Sequence, residues 1–132
     1  MKEVLLDTHV WIWVSVEDKR SLSGKADRLL RQAKQKWISA ISCWELAKLL
    51  EKKRISFSIP LVTWMRRSLN ELSINIADLS PEIAVESTQL KDFHNDPADQ
   101  IIAATSRVLG MPLLTSDRRI LDYTGVKTVS YS

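Results

Sequence analysis

The sequence predicts an α/β fold, a parallel sheet covered by helices on both faces, and three observations carry that prediction. Short apolar runs of strand length alternate with longer segments of helical character along the chain. The short runs lack strict two-residue alternation, as strands buried on both faces do. The longer segments repeat apolar residues at i, i+3, i+4 and i+7, which lines one face of a helix.

Taken in order, residues 3–6 read as a buried strand that ends at the carboxylate of Asp7, followed by a short helical segment, THVWIWV. Residues 21–35 place Ala26, Leu29, Leu30 and Ala33 at helical spacing, with Lys25, Arg28, Arg31 and Lys34 over much of the remaining surface. KWISA is a short strand, and ISCWELAKLLEKK is a helix ending in a basic cluster. LVTWMRRSLNEL, after Pro60, is another helix, and INIADL is a strand. SPEIAVESTQL opens with serine, proline and glutamate, a favoured helix entry. In DPADQIIAATSRVLG, Asp96 suits the cap, Pro97 the first position and Gly110 the exit. PLLTSD is a strand, a short helix starts near Arg118, and VKTVSY is the last strand.

The 132 residues fit one domain, residues 1–132, and no repeat, low-complexity tract or linker divides them. Hydrophobic residues at 45% and charged residues at 27% exclude a disordered chain. No apolar run approaches the roughly 20 residues of a membrane span, and MKEVLLDTHV is too short and too acidic for a signal peptide. Cys43 is alone, which excludes a disulfide framework or a cysteine-based zinc site and fits a reducing cytoplasm. The net charge of +3 permits a polyanionic partner without requiring one. Neither G-x-G-x-x-G nor G-x-x-x-x-G-K occurs, so nucleotide-dependent chemistry has little support.

In a parallel sheet of this kind, ligands gather beyond the carboxyl ends of the strands. Asp7 and Asp117 each follow a strand, and Glu45 and Asp99 stand near the starts of helices that begin at that rim. Each acid also has a plain structural reading. Asp7 and Asp117 suit helix caps; SCWE reads as a capping box with Ser42 as cap, and DPAD has the same form with Asp96 as cap. Helix phase favours more than capping: Asp99 shares a stripe with Ile102 and Ala103, and Glu45 lies between Ile41 and Leu49. An inward carboxylate needs compensation, because an unpaired buried charge costs several kcal/mol or changes protonation. No arginine is placed by sequence to neutralise all four acids, whereas a divalent cation does so. Hard cations such as Mg2+ or Mn2+ take carboxylate and water oxygens. An all-carboxylate cluster without a nucleotide loop therefore points to phosphodiester hydrolysis.

LLDTHVWIW, ISAISCWELAK, HNDPADQIIAAT and LLTSD occur in an order and at spacings that resemble PIN-domain ribonucleases, most of all the VapC-type toxins of toxin–antitoxin pairs. The resemblance runs from Met1 to the last strand. It implies a three-layer α/β/α fold around a central, mainly parallel sheet of four to five strands. It further implies Mg2+- or Mn2+-dependent cleavage of RNA by a metal-activated water, inhibition by a cognate antitoxin, and a homodimer. Asp7, Glu45, Asp99 and Asp117 resemble the four catalytic, metal-binding acids, and Asp96 is similar to an extra aspartate of an H-x-D-P-x-D subgroup. Gln100 stands where that subgroup commonly has arginine, so this chain has no charged side chain at that position.

Around these acids, Thr8, Ser42, Thr115 and Ser116 are expected to supply hydrogen bonds, with Asp96 chiefly a cap. His9 and His94 are expected to hydrogen-bond or pack rather than ligate a metal. Trp37 and Trp44 are expected in the core; Trp11 and Trp13 are either core residues or the lining of a groove for an antitoxin helix. Of the basic residues, Arg118 and Arg119, directly after Asp117, are the best placed to meet an RNA backbone. The competing readings are a PIN-fold module that binds nucleic acid or protein without catalysis, and a PIN-like nuclease acting on DNA. An aspartyl phosphatase would want a second aspartate two residues after Asp7, where His9 stands.

Overall fold

The computed structural model describes residues 3–16 and 22–132. It contains β1 (Glu3–Leu6), α1 (Thr8–Ser15), α2 (Gly24–Gln32), β2 (Gln35–Ser39), α3 (Ala40–Glu51) and α4 (Leu61–Glu71). These are followed by β3 (Ile74–Ala77), α5 (Pro81–Ser87), α6 (Pro97–Leu109), β4 (Leu113–Thr115), α7 (Arg118–Leu121) and β5 (Thr128–Ser130). The five strands form one sheet in the order β3-β2-β1-β4-β5, and every pairing is parallel. The sequence expectation of a mainly parallel sheet of four to five strands thus resolves to five, all parallel.

β1 is the middle strand, and its continuous apolar run follows from burial on both sides. Val4 and Leu6 join one core cluster with Val10, Trp11, Ile38, Leu46 and Leu114. Leu5, pointing the opposite way, joins the second with Ile102, Ala103, Leu113 and Ile120. Trp11 is fully buried, and its indole N–H donates to Ser68 Oγ at 2.8 Å, tying α1 to α4. Trp11 is therefore a core residue, whereas Trp13 is half-buried.

Local chemistry sets the helix ends. Ser23 caps α2 by accepting from Ala26 N–H, and Ser80 caps α5 by accepting from Ile83 N–H. The structure starts α2 at Gly24 and ends it at Gln32 because Gln35 is already paired in β2; Ser21, the expected start, lies outside the described residues. Asp96 Oδ1 accepts from Asp99 N–H at 3.0 Å to start α6, and Pro97 occupies its first turn. One expectation fails: Ser39, not Ser42, caps α3. Ser39 is the last residue of β2, so the helix begins one turn earlier than SCWE suggests, and Ser42 is buried inside it. Glu45 is then the sixth residue of the helix and takes no part in a capping box.

Gly110 ends α6 at φ 66°, in the left-handed region, and its N–H bonds to Ser106 O. Replacing it by alanine forces a side chain into that conformation. Gly110→Ala is expected to cost about 1 kcal/mol of stability, read as a lower urea midpoint; an unchanged midpoint contradicts this account of the turn.

Candidate active site

The strand order reverses direction between β1 and β4, and the carboxyl ends of these neighbours form the crevice that such a reversal opens. Asp7 follows β1 directly, and Asp117 lies two residues beyond β4. Glu45 from α3 and Asp96 and Asp99 from the start of α6 join them in lining one cavity of about 640 Å3.

Asp7 is only 7% exposed. Its Oδ1 accepts from Thr8 N–H at 2.8 Å, and its Oδ2 accepts from the Thr115 hydroxyl at 2.6 Å. Burial pushes its pKa up, and these two hydrogen bonds only partly offset that. Thr115 Oγ1 also accepts from Asp117 N–H at 3.0 Å, so one hydroxyl links both strand-end acids. Thr8 reaches the other way, into α3. Its Oγ1 lies 2.9 Å from Ser42 Oγ and donates to Glu45 Oε1 at 2.5 Å. Burial raises the pKa of Glu45, the Thr8 bond opposes the rise, and the charges of Asp7, Asp99 and Asp96 add to it.

Asp99 sits on the buried face of α6 with Ile102 and Ala103 and is 6% exposed. Its Oδ2 is 2.8 Å from His94 Nε2 and 3.4 Å from the Arg119 guanidinium. Burial pushes its pKa up to about 6, with the His94 bond opposing and the charges of Asp7, Asp96 and Asp117 reinforcing. Asp117 goes the other way. Burial would raise it, but the side-chain and backbone hydrogen bonds of Arg119 and its charge prevail and hold it below the ordinary carboxylate range. Arg119 Nη2 lies 3.0 Å from Asp117 Oδ2, and its N–H donates to Oδ1 at 2.9 Å.

Among the described residues, two sets of ligand atoms lie within 4.8 Å of one another: His94 with Asp99 and Asp117, and Glu45 with Asp96 and Asp99. Asp99 belongs to both. Asp7 belongs to neither at that spacing, although its charge is felt by Glu45 and Asp99. Oxygen donors dominate, and three carboxylates are held above their ordinary pKa by burial and like charge. A hard divalent cation neutralises the like charge and compensates the carboxylates for the water they lose on burial, so the donor set fits Mg2+ or Mn2+.

The structure thus places Asp7, Glu45, Asp99 and Asp117 around one cavity, with Thr8, Ser42 and Thr115 in hydrogen-bonded contact with them or with each other. Ser116 lines the cavity, but its hydroxyl lies 3.4 Å from Ser132 Oγ and contacts none of the acids at hydrogen-bond distance. Arg119 lines the cavity; Arg118 does not, and its side chain is exposed beside Asp122. Two features escaped the sequence. The bridge from Arg119 to both Asp117 and Asp99 depends on how α7 sits against α6, which spacing does not encode. Trp44, expected in the core, is half exposed at the cavity mouth, because the phase of α3 turns Leu46 inward instead. Trp37 is half-buried, and its indole N–H is buried without a hydrogen-bond partner among the described residues.

A sheet of this order with acids at its reversal point fits a PIN-type fold, and the PIN domain family model matches residues 4–126. The chain belongs to the PIN domain family. Within it the chain is 37% identical over 121 residues to Ribonuclease VapC22 of Mycobacterium tuberculosis, covering 91% of each protein. Solved structures agree on the fold. VapBC2 of Rickettsia felis, bound to a promoter DNA fragment, matches with a TM-score of 0.71 at 15% identity, over 98% of this chain and 99% of the other. A toxin–antitoxin complex from Klebsiella pneumoniae matches with a TM-score of 0.62 at 25% identity, over 98% of each chain.

The displaced pKa of Asp99 makes the stability of the metal-free protein depend on pH. An unfolded aspartate ionises near 3.8 and folded Asp99 near 6, so its charge opposes folding above that value. The cost is shed as pH falls from about 6 to about 4. In EDTA, Asp99→Asn is therefore expected to melt higher than the parent protein at about pH 8, with the gain fading towards about pH 4. Melting curves at both pH values check this, and an asparagine variant that melts lower at the higher pH overturns it.

Proposed function

We propose that this chain is a metal-dependent endoribonuclease that hydrolyses RNA phosphodiester bonds and acts as the growth-inhibiting toxin of a toxin–antitoxin pair. The observation that carries this reading is the meeting of Asp7, Glu45, Asp99 and Asp117 in one cavity, three of them raised in pKa, in a relative of Ribonuclease VapC22. The VapBC and toxin–antitoxin complexes among its structural neighbours support a cognate antitoxin as partner. The reading takes residues 1–132 as one PIN domain working as a homodimer in the cytoplasm. No helix among the described residues is long and apolar enough to cross a membrane.

In this reading Asp7, Glu45, Asp99 and Asp117 hold Mg2+ or Mn2+. When bound, such a cation lowers the pKa of a water and stabilises the charge that develops on the phosphate and the leaving oxygen. The protein's own part is to fix the carboxylates before substrate arrives. Thr115 orients the Asp7 carboxylate and accepts from the Asp117 backbone N–H, Arg119 holds the Asp117 carboxylate, Thr8 orients Glu45, and Ser42 supports Thr8 from inside α3. His94 holds one oxygen of Asp99, and Asp96 sets the start of the helix that carries it. Arg119, 59% exposed at its side chain, brings a positive charge to the cavity wall where an RNA phosphate enters.

The test is incubation of total cellular RNA with the protein in Mg2+, Mn2+ or EDTA, beside Asp7→Asn and Asp99→Asn. Cleavage is expected with either metal, none with EDTA, and a fall on the order of 100-fold or more in each variant. Cleavage that survives chelation and both substitutions rejects the assignment. A folded, metal-loaded protein that cuts only DNA makes it a DNA nuclease, and one that cuts neither makes it a binding module.

A further inference from the structure

Trp44 is half exposed, and it is the one aromatic residue among the exposed large apolar residues described. It immediately precedes Glu45, and both residues line the acidic cavity. Helical spacing puts Trp44, Lys48 and Lys52 in one row, four residues apart, and all three line that cavity together with Arg54. Lys48 Nζ lies 5.9 Å from the Trp44 ring centroid. An indole left in water forgoes the gain of burial, and α3 docks on the core through Leu46 and Ser42 without it.

A flat, half-open ring followed by a row of cations is the chemistry of a single-strand track. The ring stacks on a base and the cations follow the phosphates. A partner helix would instead be met by a continuous apolar groove, which the interposed lysines interrupt. We propose that Trp44 is a stacking platform for an unpaired nucleobase next to the scissile phosphate, with Lys48, Lys52 and Arg54 holding the strand beyond it. The proposal rests on the ribonuclease reading. A stacking platform needs a base free of its own stack, so this residue favours cleavage beside splayed, single-stranded positions.

Binding is measured with the Asp99→Asn protein in EDTA, using a fluorescein-labelled single-stranded oligoribonucleotide and an abasic oligomer of equal length. Trp44→Ala is expected to weaken binding of the base-bearing strand roughly tenfold and to leave the abasic strand unchanged. Trp44→Phe keeps a flat ring and is expected to bind like the parent. Trp44→Leu keeps apolar packing without the ring and is expected to behave like alanine, which guards against a loss caused by misfolding. Equal affinity of Trp44→Ala for the base-bearing strand, or equal loss on both strands, overturns the proposal; the first outcome leaves the exposed ring to a protein partner. Failure of the parent protein to cut RNA in the cleavage assay is a separate result and counts against the ribonuclease reading itself.

Discussion

Mutual repulsion among carboxylates held out of water is the constraint around which the rest of the molecule is arranged. Asp7 and Asp99 are almost fully buried, Glu45 is half-buried, and each feels the charge of at least one other acid. Left alone, such a group would drive the fold apart or take up protons. The surrounding residues answer that cost individually. Threonine hydroxyls steady Asp7 and Glu45, a histidine meets Asp99, and an arginine brackets Asp117. The remaining strain is visible in the pKa of Asp99, and it is the kind of strain a cation removes.

The fold concentrates this strain at one edge. A five-stranded parallel sheet sends every strand's carboxyl end the same way, so helices entering from that edge point their amino ends at it. Asp7, Asp96 and Asp117 each cap a helix there, by accepting a backbone N–H. These three capping side chains therefore also line the cavity. An aspartate that starts a helix at this rim is also an aspartate delivered to the crevice. For Asp7, Asp96 and Asp117 the two explanations that the sequence set against each other thus describe one arrangement, whereas Glu45 caps nothing.

How much of this could be read from the chain depends on whether a feature is local. The pairing of Asp96 with Asp99 across four residues, and the phase that groups Asp99 with Ile102 and Ala103, are properties of one helix and were legible. So was the order of strands and helices, because both-face burial leaves unbroken apolar runs such as Val4–Leu6. The cap of α3 is not legible in the chain because two serines three residues apart, Ser39 and Ser42, both satisfy the local rule. Only pairing of β2 with its neighbours decides between them. Trp44 misled for a related reason: its apolar character suggested burial, while the turn of the helix set Leu46 inward. The contact from Arg119 to Asp99 spans 20 residues between two helices, and no period along the chain announces it.

That last contact bears on how the rim is balanced. Arg119 sits on the four-residue α7 with its side chain more than half in solvent, yet it spans Asp117 and Asp99. The polypeptide thus brings a counter-ion of its own to the most crowded part of the rim. With α6 and α7 in place, those two acids are therefore partly balanced by a positive charge that the chain itself carries.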